Sequence, residues 1–316
     1  MPVLVTGIAG FIGAAVAKAL ISEGVSVVGV DNLSTGHVDN VPTKSKFIKG
    51  DVHDEKLIEH LGKYDFDTIF HIAGQSSGEI SFTEPVYDLQ TNCQSTLMLL
   101  DFARRKGCKN FIFASSMSVY GNPIHPERPV TEEHRLEPLS LYAVGKIASE
   151  NYLDVYSRQY GLSCVSLRLF NVYGPGQNMQ NLKQGMVSIY LAQALSSGRI
   201  VVKGSSGRFR DQVFIDDVVR AFVAAKRAMK PGFVAYNIAT GVRTTVADVV
   251  SLIKEYVPKI SSVEYVDGTL GDQYGIFGDF RKAQSGIDWE ATVDFRSGLK
   301  NMIEWAGSHR GLLYEG

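Results

Sequence analysis

Cysteine and tryptophan are scarce in this sequence of 316 residues, with three copies of one and two of the other. Cys93, Cys108 and Cys164 fall in segments that read as helix, turn and strand, without the paired spacing of a zinc site or the even count of a disulfide framework. They are expected to be reduced packing residues. The seven histidines show no HExxH-like arrangement, so no metal is predicted, and His71, at a strand end, reads as a structural histidine. Neither sign of charge is in excess: 32 basic against 33 acidic residues leave a net charge of −1, which gives no reason to expect nucleic acid or an anionic membrane as a partner. No apolar run approaches the length of a membrane span. Met1-Pro2 leads straight into an apolar run without a basic leader, so the chain is expected in the cytoplasm.

What is present is an alternation. Apolar strand-like runs at Leu4–Val5, Val25–Val30, Lys46–Lys49, Thr68–Ile72, Asn110–Ala114 and Ser163–Leu169 are mostly separated by helical stretches. This predicts an α/β fold, a doubly wound parallel sheet covered by helices on both faces. Two long helices, roughly Val86–Lys106 and Leu141–Tyr160, carry apolar residues on more than one face, including Leu97, Leu100, Phe102, Tyr152 and Tyr156. That pattern suits either a homodimer interface or burial within one chain. After Gly176 the alternation lapses into segments rich in Gln, Asn, Ser and Gly, which reads as a smaller, insertion-tolerant substrate region. The chain divides accordingly into 1–174, with returning segments near 210–245, and 175–316. Tyr236–Ala239 reads as a strand rejoining the sheet, and Val246–Tyr256 as an amphipathic helix.

Three features carry chemistry. Tyr142 and Lys146 stand at i and i+4, neighbours on one helix face. A cation held beside a phenol favours the phenolate, which can take a proton from a sugar hydroxyl. At the N-terminus, Thr6-Gly7-Ile8-Ala9-Gly10-Phe11-Ile12-Gly13 follows a strand and opens an alanine-rich helix. Such a turn lets backbone approach a ligand closely and aims the helix N–H groups at a pyrophosphate. The next strand stops at Asp31, where an acidic side chain grips the ribose diol of a dinucleotide and repels a 2′-phosphate, which favours NAD over NADP. Third, the strand ending Phe113-Ala114-Ser115-Ser116 opens into hydroxyls at its carboxyl end, where ligands collect in a doubly wound sheet. Ser116 is placed there to bond a reacting oxygen.

With these motifs in hand, nearly the whole chain resembles the extended short-chain dehydrogenase/reductase family, and within it the NAD-dependent nucleotide-sugar epimerases of the UDP-glucose 4-epimerase type. The resemblance runs through Thr6–Gly13, Asp31–Gly36, Gly50-Asp51-Val52, His71–Gln75, the Ser116 segment, Tyr142/Lys146, Arg168–Asn171, Arg210-Asp211 and Ile215–Val218. It implies a Rossmann-type fold with a smaller C-terminal substrate-binding region. It also implies that Gly7, Gly10, Phe11, Ile12 and Gly13 hold the pyrophosphate, Asp31 and Asn32 the adenosine ribose, and Asp51 and Val52 the adenine. Ala73, Gly74 and Asn92 would line the cofactor channel, joined by Ser34, Ile72, Gln75, Ser115 and Phe170. Tyr142 would be the base, Lys146 would bind the nicotinamide ribose and depress the tyrosine pKa, and Ser116 would orient the substrate hydroxyl. Asn171 and Arg210 would contact the nucleotide diphosphate.

Departures narrow the reading. Dehydratases and the decarboxylase of the family carry acidic residues just after the catalytic hydroxyl, where this chain has Met117 and Ser118. Gln212 replaces a common aromatic, Thr269 before Gly271-Asp272 replaces a phosphate-binding arginine, and Leu141 and Gly145 replace a common Pro and Ser around the Tyr/Lys pair. The implied activity is inversion at C4 of a nucleotide sugar of the UDP-glucose, UDP-N-acetylglucosamine or UDP-glucuronate type, through a transient 4-keto sugar. Net oxidation or reduction of a keto sugar, or NAD binding without catalysis, are the alternatives.

Overall fold

A computed structural model describes residues 1–182, 185–268 and 273–309. The strands are β1 (Val3–Thr6), β2 (Val27–Asp31), β3 (Lys46–Lys49), β4 (Thr68–His71), β5 (Asn110–Ser116), β6 (Ser163–Leu169), β7 (Asn171–Tyr173), β8 (Arg199–Lys203), β9 (Phe209–Arg210), β10 (Gln212–Phe214), β11 (Gly232–Ile238), β12 (Thr244–Thr245) and β13 (Ser262–Val266). The helices are α1 (Phe11–Ser22), α2 (Glu55–Leu61), α3 (Gly78–Thr83), α4 (Pro85–Leu89), α5 (Ser95–Lys106), α6 (Leu141–Tyr160), α7 (Met186–Ser196), α8 (Ile215–Arg227), α9 (Val246–Tyr256), α10 (Arg281–Ile287) and α11 (Phe295–Ser308).

Among the described residues, seven strands form one parallel sheet in the order β11-β6-β5-β4-β1-β2-β3. Strands buried on both faces must be apolar throughout, and successive residues split between the two layers. Val5, Phe70 and Ile112 meet Val16 and Leu20 of α1 and Val218 and Phe222 of α8. Leu4, Ile69, Phe111 and Phe113 face the opposite way, toward Leu57 of α2, Leu99 of α5 and Leu153 of α6. The strand order reverses direction beside β1, which leaves a crevice above the carboxyl ends of β1 and β4.

The predicted strand at 25–30 is shifted to Val27–Asp31, because the Val25 N–H instead closes the end of α1 on the Leu20 carbonyl at 3.0 Å. The predicted long helix over 86–106 is a helical run interrupted by a π turn, Gln90–Gln94. Leu100 and Phe102 are buried inside the chain rather than offered to a partner, and Tyr152 and Tyr156 pack against the same cluster. Val246–Tyr256 is helical as predicted, started by a capping box between Thr245 and Asp248.

A second apolar cluster lies outside the sheet. Val187 and Leu191 of α7, Ile200 and Val202 of β8, Val249 and Ile253 of α9, and Leu299 and Met302 of α11 bury one another there. β8 pairs with β13 as a parallel two-stranded unit. The expected strand near Tyr236 does rejoin the main sheet, as β11, beside β6.

Candidate active site

A cleft of about 440 Å³ opens over the crevice. Every residue that the sequence assigns to the site lines it except Asn92 and Arg210. Its floor begins at Gly7, whose φ of 73° is a backbone state that a β-carbon disfavours. Gly10 caps α1 without any side-chain hydrogen bond, so the N–H groups of the first turn face the cleft uncapped. A β-carbon on Gly13 would run into the Gly7 carbonyl oxygen. The glycines thus let the helix start lie against the strand end and leave a positive N-terminus for an anion, a cradle that fits a dinucleotide pyrophosphate.

The adjoining wall is fixed by short polar links. Asp31 accepts the Ala9 N–H at 2.9 Å and the Leu33 N–H at 2.8 Å, which holds its carboxylate at the strand end. Asn32 donates to Asp51 at 2.7 Å and accepts the Ser34 N–H at 2.9 Å. Thr6 Oγ1 accepts the Ile72 and Ala73 N–H groups, each at 3.1 Å, and pairs with His71 Nδ1 at 2.9 Å. His71 is the structural residue expected of it. Its other nitrogen meets Thr96 at 3.1 Å, and burial pushes its pKa down to about 3, so it stays neutral.

Strand β5 and helix α6 bring Ser115, Ser116, Tyr142 and Lys146 to the cleft. Ser140 caps α6 by accepting the Ala143 N–H at 3.2 Å, and Tyr142 and Lys146 follow, both buried. Lys146 Nζ donates to the Ala114 carbonyl at 3.0 Å and lies 5.6 Å from the Tyr142 ring centre and 4.7 Å from that of Phe113. Ser116 accepts the Ser118 N–H at 3.1 Å and donates to Ser118 Oγ at 3.1 Å, and it lines the cleft with Tyr142. Ser115 Oγ is buried without a partner.

The electrostatics differ from the sequence expectation of a depressed phenol. Burial pushes the Tyr142 pKa up to about 12, with the Asp88 charge adding to the rise and the Ser116 hydroxyl opposing it. Burial also pulls Lys146 down to about 8, against the charges of Asp88 and Glu150. Desolvation is the largest cause of both shifts, because both side chains are buried.

The opposite wall is irregular. Asn171 lines it with Oδ1 buried and, among the described residues, unpartnered, and so does Gln177 with Oε1. Arg210 stands behind this wall. Its guanidinium donates to the Gln273 carbonyl at 2.7 Å and the Phe209 carbonyl at 2.8 Å, and burial lowers its pKa to about 10. Gln212 is buried with Nε2 unpartnered. Thr269, Gly271 and Asp272 lie outside the described residues. Asn92 sits behind Gly74, its amide donating to the Gln75 carbonyl at 2.8 Å. Sequence reasoning missed Tyr87, Thr91, Gln177 and Asn178, which also line the cleft. Tyr87 and Thr91 stand at helical i, i+4 spacing, the one signal that would have found them.

Among the described residues, no group of three or more His, Cys, Asp or Glu is placed to hold a metal ion, and no helix is long and apolar enough to cross a membrane. Residues 3–239 match the NAD dependent epimerase/dehydratase family. The chain is similar to the UDP-glucose 4-epimerase of Mycolicibacterium smegmatis, with 35% identity over 96% of this chain and 98% of that protein. It is also similar to the crystal structure of the UDP-glucose 4-epimerase of Thermotoga maritima with UDP-glucose, at a TM-score of 0.93 and 35% identity, covering 98% of this chain and 99% of that one. The Thermus thermophilus UDP-glucose 4-epimerase in complex with NAD matches at a TM-score of 0.91 and 31% identity, covering 98% and 100%.

Proposed function

The chain belongs to the NAD-dependent epimerase/dehydratase family, and from that premise we propose that it inverts C4 of a UDP-sugar through a transient 4-keto intermediate. It is an epimerase with NAD as cofactor. The observation that carries the proposal is the convergence of Ser116, Tyr142 and Lys146 with the uncapped glycine turn in one cleft. Met117 and Ser118, at the places where eliminating relatives carry acids, supply no group for dehydration.

In this reading, the Gly7–Gly13 turn holds the pyrophosphate, Asp31 and Asn32 the ribose, and Asp51 and Val52 the adenine, with Lys146 on the nicotinamide ribose. NAD⁺, when bound, would supply the acceptor for the hydride from the sugar C4, and its positive charge would favour the phenolate. Ser116 holds the sugar 4-hydroxyl while Tyr142 takes its proton, and Tyr142 returns the proton after the keto sugar turns over. Acid–base assistance of this kind is worth roughly 10²–10⁴-fold, and positioning in the closed cleft contributes much of the rest. Lys146 must be an ammonium for the pair to act. Asn171 is the proposed contact to the nucleotide diphosphate, and Arg210, which donates to the Phe209 and Gln273 carbonyls behind it, braces that wall. The relatives that act on UDP-glucose support a UDP-linked hexose as substrate.

The test is direct. The purified protein is incubated with UDP-glucose, UDP-N-acetylglucosamine and UDP-glucuronate, and the products are separated by chromatography and identified by NMR. A 4-epimer formed without net NADH supports the proposal; steady NADH formation or consumption would favour an oxidoreductase, and no turnover of any nucleotide sugar would favour a binding protein. We also infer a homodimer in the cytoplasm, joined across α4 and α6, where Val86, Leu89, Val144 and Tyr160 are exposed. Light scattering should give twice the 34.6 kDa chain mass, and a monomer that persists at micromolar concentration would overturn this.

A further inference from the structure

Asp88 is a buried carboxylate, 1% exposed, for which the reaction proposed above has no use. Its Oδ1 accepts Gln75 Nε2 at 2.7 Å and Asn92 Nδ2 at 3.0 Å. Asn92 belongs to the π turn Gln90–Gln94, a wider winding that often marks a functional site. The turn is held from outside: the Asn92 carbonyl accepts Ser149 Oγ of α6 at 2.7 Å and Thr96 Oγ1 at 2.9 Å. Because Nδ2 is committed to Asp88 and to the Gln75 carbonyl, Asn92 Oδ1 is turned toward Gly74 and has no partner among the described residues. A β-carbon on Gly74 would lie 2.6 Å from that oxygen and 3.4 Å from Lys146 Nζ.

The second Asp88 oxygen faces α6. A β-carbon on Gly145 would lie 3.9 Å from Asp88 Oδ2 and 3.3 Å from Asn92 Cβ. The glycine at this position, which replaces a common serine, therefore lets the Asp88 segment close on the helix one residue before Lys146. The titratable groups facing Lys146 are Tyr142 and Glu150 from α6, Asp88 from α4 and His71 from β4. Glu150 is already matched by Arg168 at 2.7 Å, His71 is neutral, and Tyr142 is a neutral phenol at rest. Asp88 is then the carboxylate of this group, among the described residues, that no arginine neutralises.

We propose that Asp88 is a positioning residue for proton transfer, the internal counter-charge that keeps Lys146 an ammonium and, through Asn92, fixes the amide beside it. The inference rests on the reading of Lys146 as the charged member of the catalytic pair. Its direction is set by Coulomb's law: a carboxylate removed from this site makes the ammonium easier to deprotonate.

The experiment follows lysine side-chain signals by NMR in the NAD-loaded protein without sugar, with the Lys146 signal assigned by its loss in Lys146→Met. Wild type should show a Lys146 midpoint below the ordinary lysine value, because burial lowers it. Asp88→Asn keeps the size and an acceptor for both amides, and should move that midpoint down by about one pH unit, with the alkaline limb of kcat moving alongside it. Asp88→Glu, which restores the charge, should return the midpoint toward wild type. An unchanged Lys146 midpoint in folded Asp88→Asn would overturn the proposal. A reciprocal measurement needs no change at position 88: the Asp88 carboxyl, followed by NMR, should titrate higher in Lys146→Met, because coupling between two sites is mutual, and no change there would overturn it as well. If wild type turned over no nucleotide sugar, the proposed function would fail while both midpoints still reported on this pair.

Discussion

The two walls of the cleft are built by different means. Along residues 7–13 and 31–34 the wall is made of backbone turns pinned by short bonds, as from Asp31 to Ala9 and Leu33. Along residues 171–178 it offers side-chain amides, two of them with buried oxygens left unpartnered among the described residues. A backbone wall is broken by adding a β-carbon, and it imposes one shape on whatever binds. An amide wall can be rewritten one side chain at a time. Glycine spacing therefore announces the backbone wall in the sequence, while no local pattern announces the amide wall.

The sharpest break in the comparison comes from the residue between the walls. Tyr142→Phe should lower kcat by roughly 10²–10⁴-fold while fluorescence or mass measurement still finds NAD bound. Normal turnover in this variant would remove Tyr142 from the chemistry. On the backbone wall, Gly13→Ala should cost about 1–3 kcal/mol by overpacking and weaken NAD retention, read by thermal unfolding and by the NAD content of the purified protein. On the amide wall, Asn171→Ala should raise KM for the UDP-sugar by about tenfold, the loss of roughly one good hydrogen bond, and leave NAD content unchanged. If both variants lost NAD equally, the walls would not be separate.

A smaller effect concerns His71, which ties the ends of β1 and β4 to α5 through Thr6 and Thr96. Its folded pKa is depressed from 6.5 to about 3, so between those values the unfolded chain binds the extra proton. Stability is therefore full above about pH 6.5 and falls as the pH drops through this window, by up to about 1.4 kcal/mol per pH unit. Denaturant unfolding at several pH values should show this slope in wild type and a shallower one in His71→Gln.

The parallel sheet, the α1 turn and the Val246–Tyr256 helix were legible because each has a local signal: alternation, glycine spacing, or a Thr245/Asp248 cap. The π turn was not, since it depends on what packs against it. Asn92 and Ser95 bond to Ser149 and His71, which are distant in sequence. The same holds for the Tyr142 phenol. Its neighbour Lys146 can be read from spacing, but its burial comes from the whole fold, and burial decides the direction of its shift. Arg210 shows the limit for the substrate side. The residue type suits a phosphate, yet the fold commits its guanidinium to backbone carbonyls that no local pattern announces.

The central claim is that hydride leaves C4 and returns to the same carbon within one closed site. UDP-glucose carrying deuterium at C4 tests it most directly, with the product examined by NMR after conversion in ordinary water. The account predicts a 4-epimer that keeps its deuterium at C4 with no accumulation of NADH. Loss of the label to solvent, or reduced cofactor building up with each turnover, would contradict it.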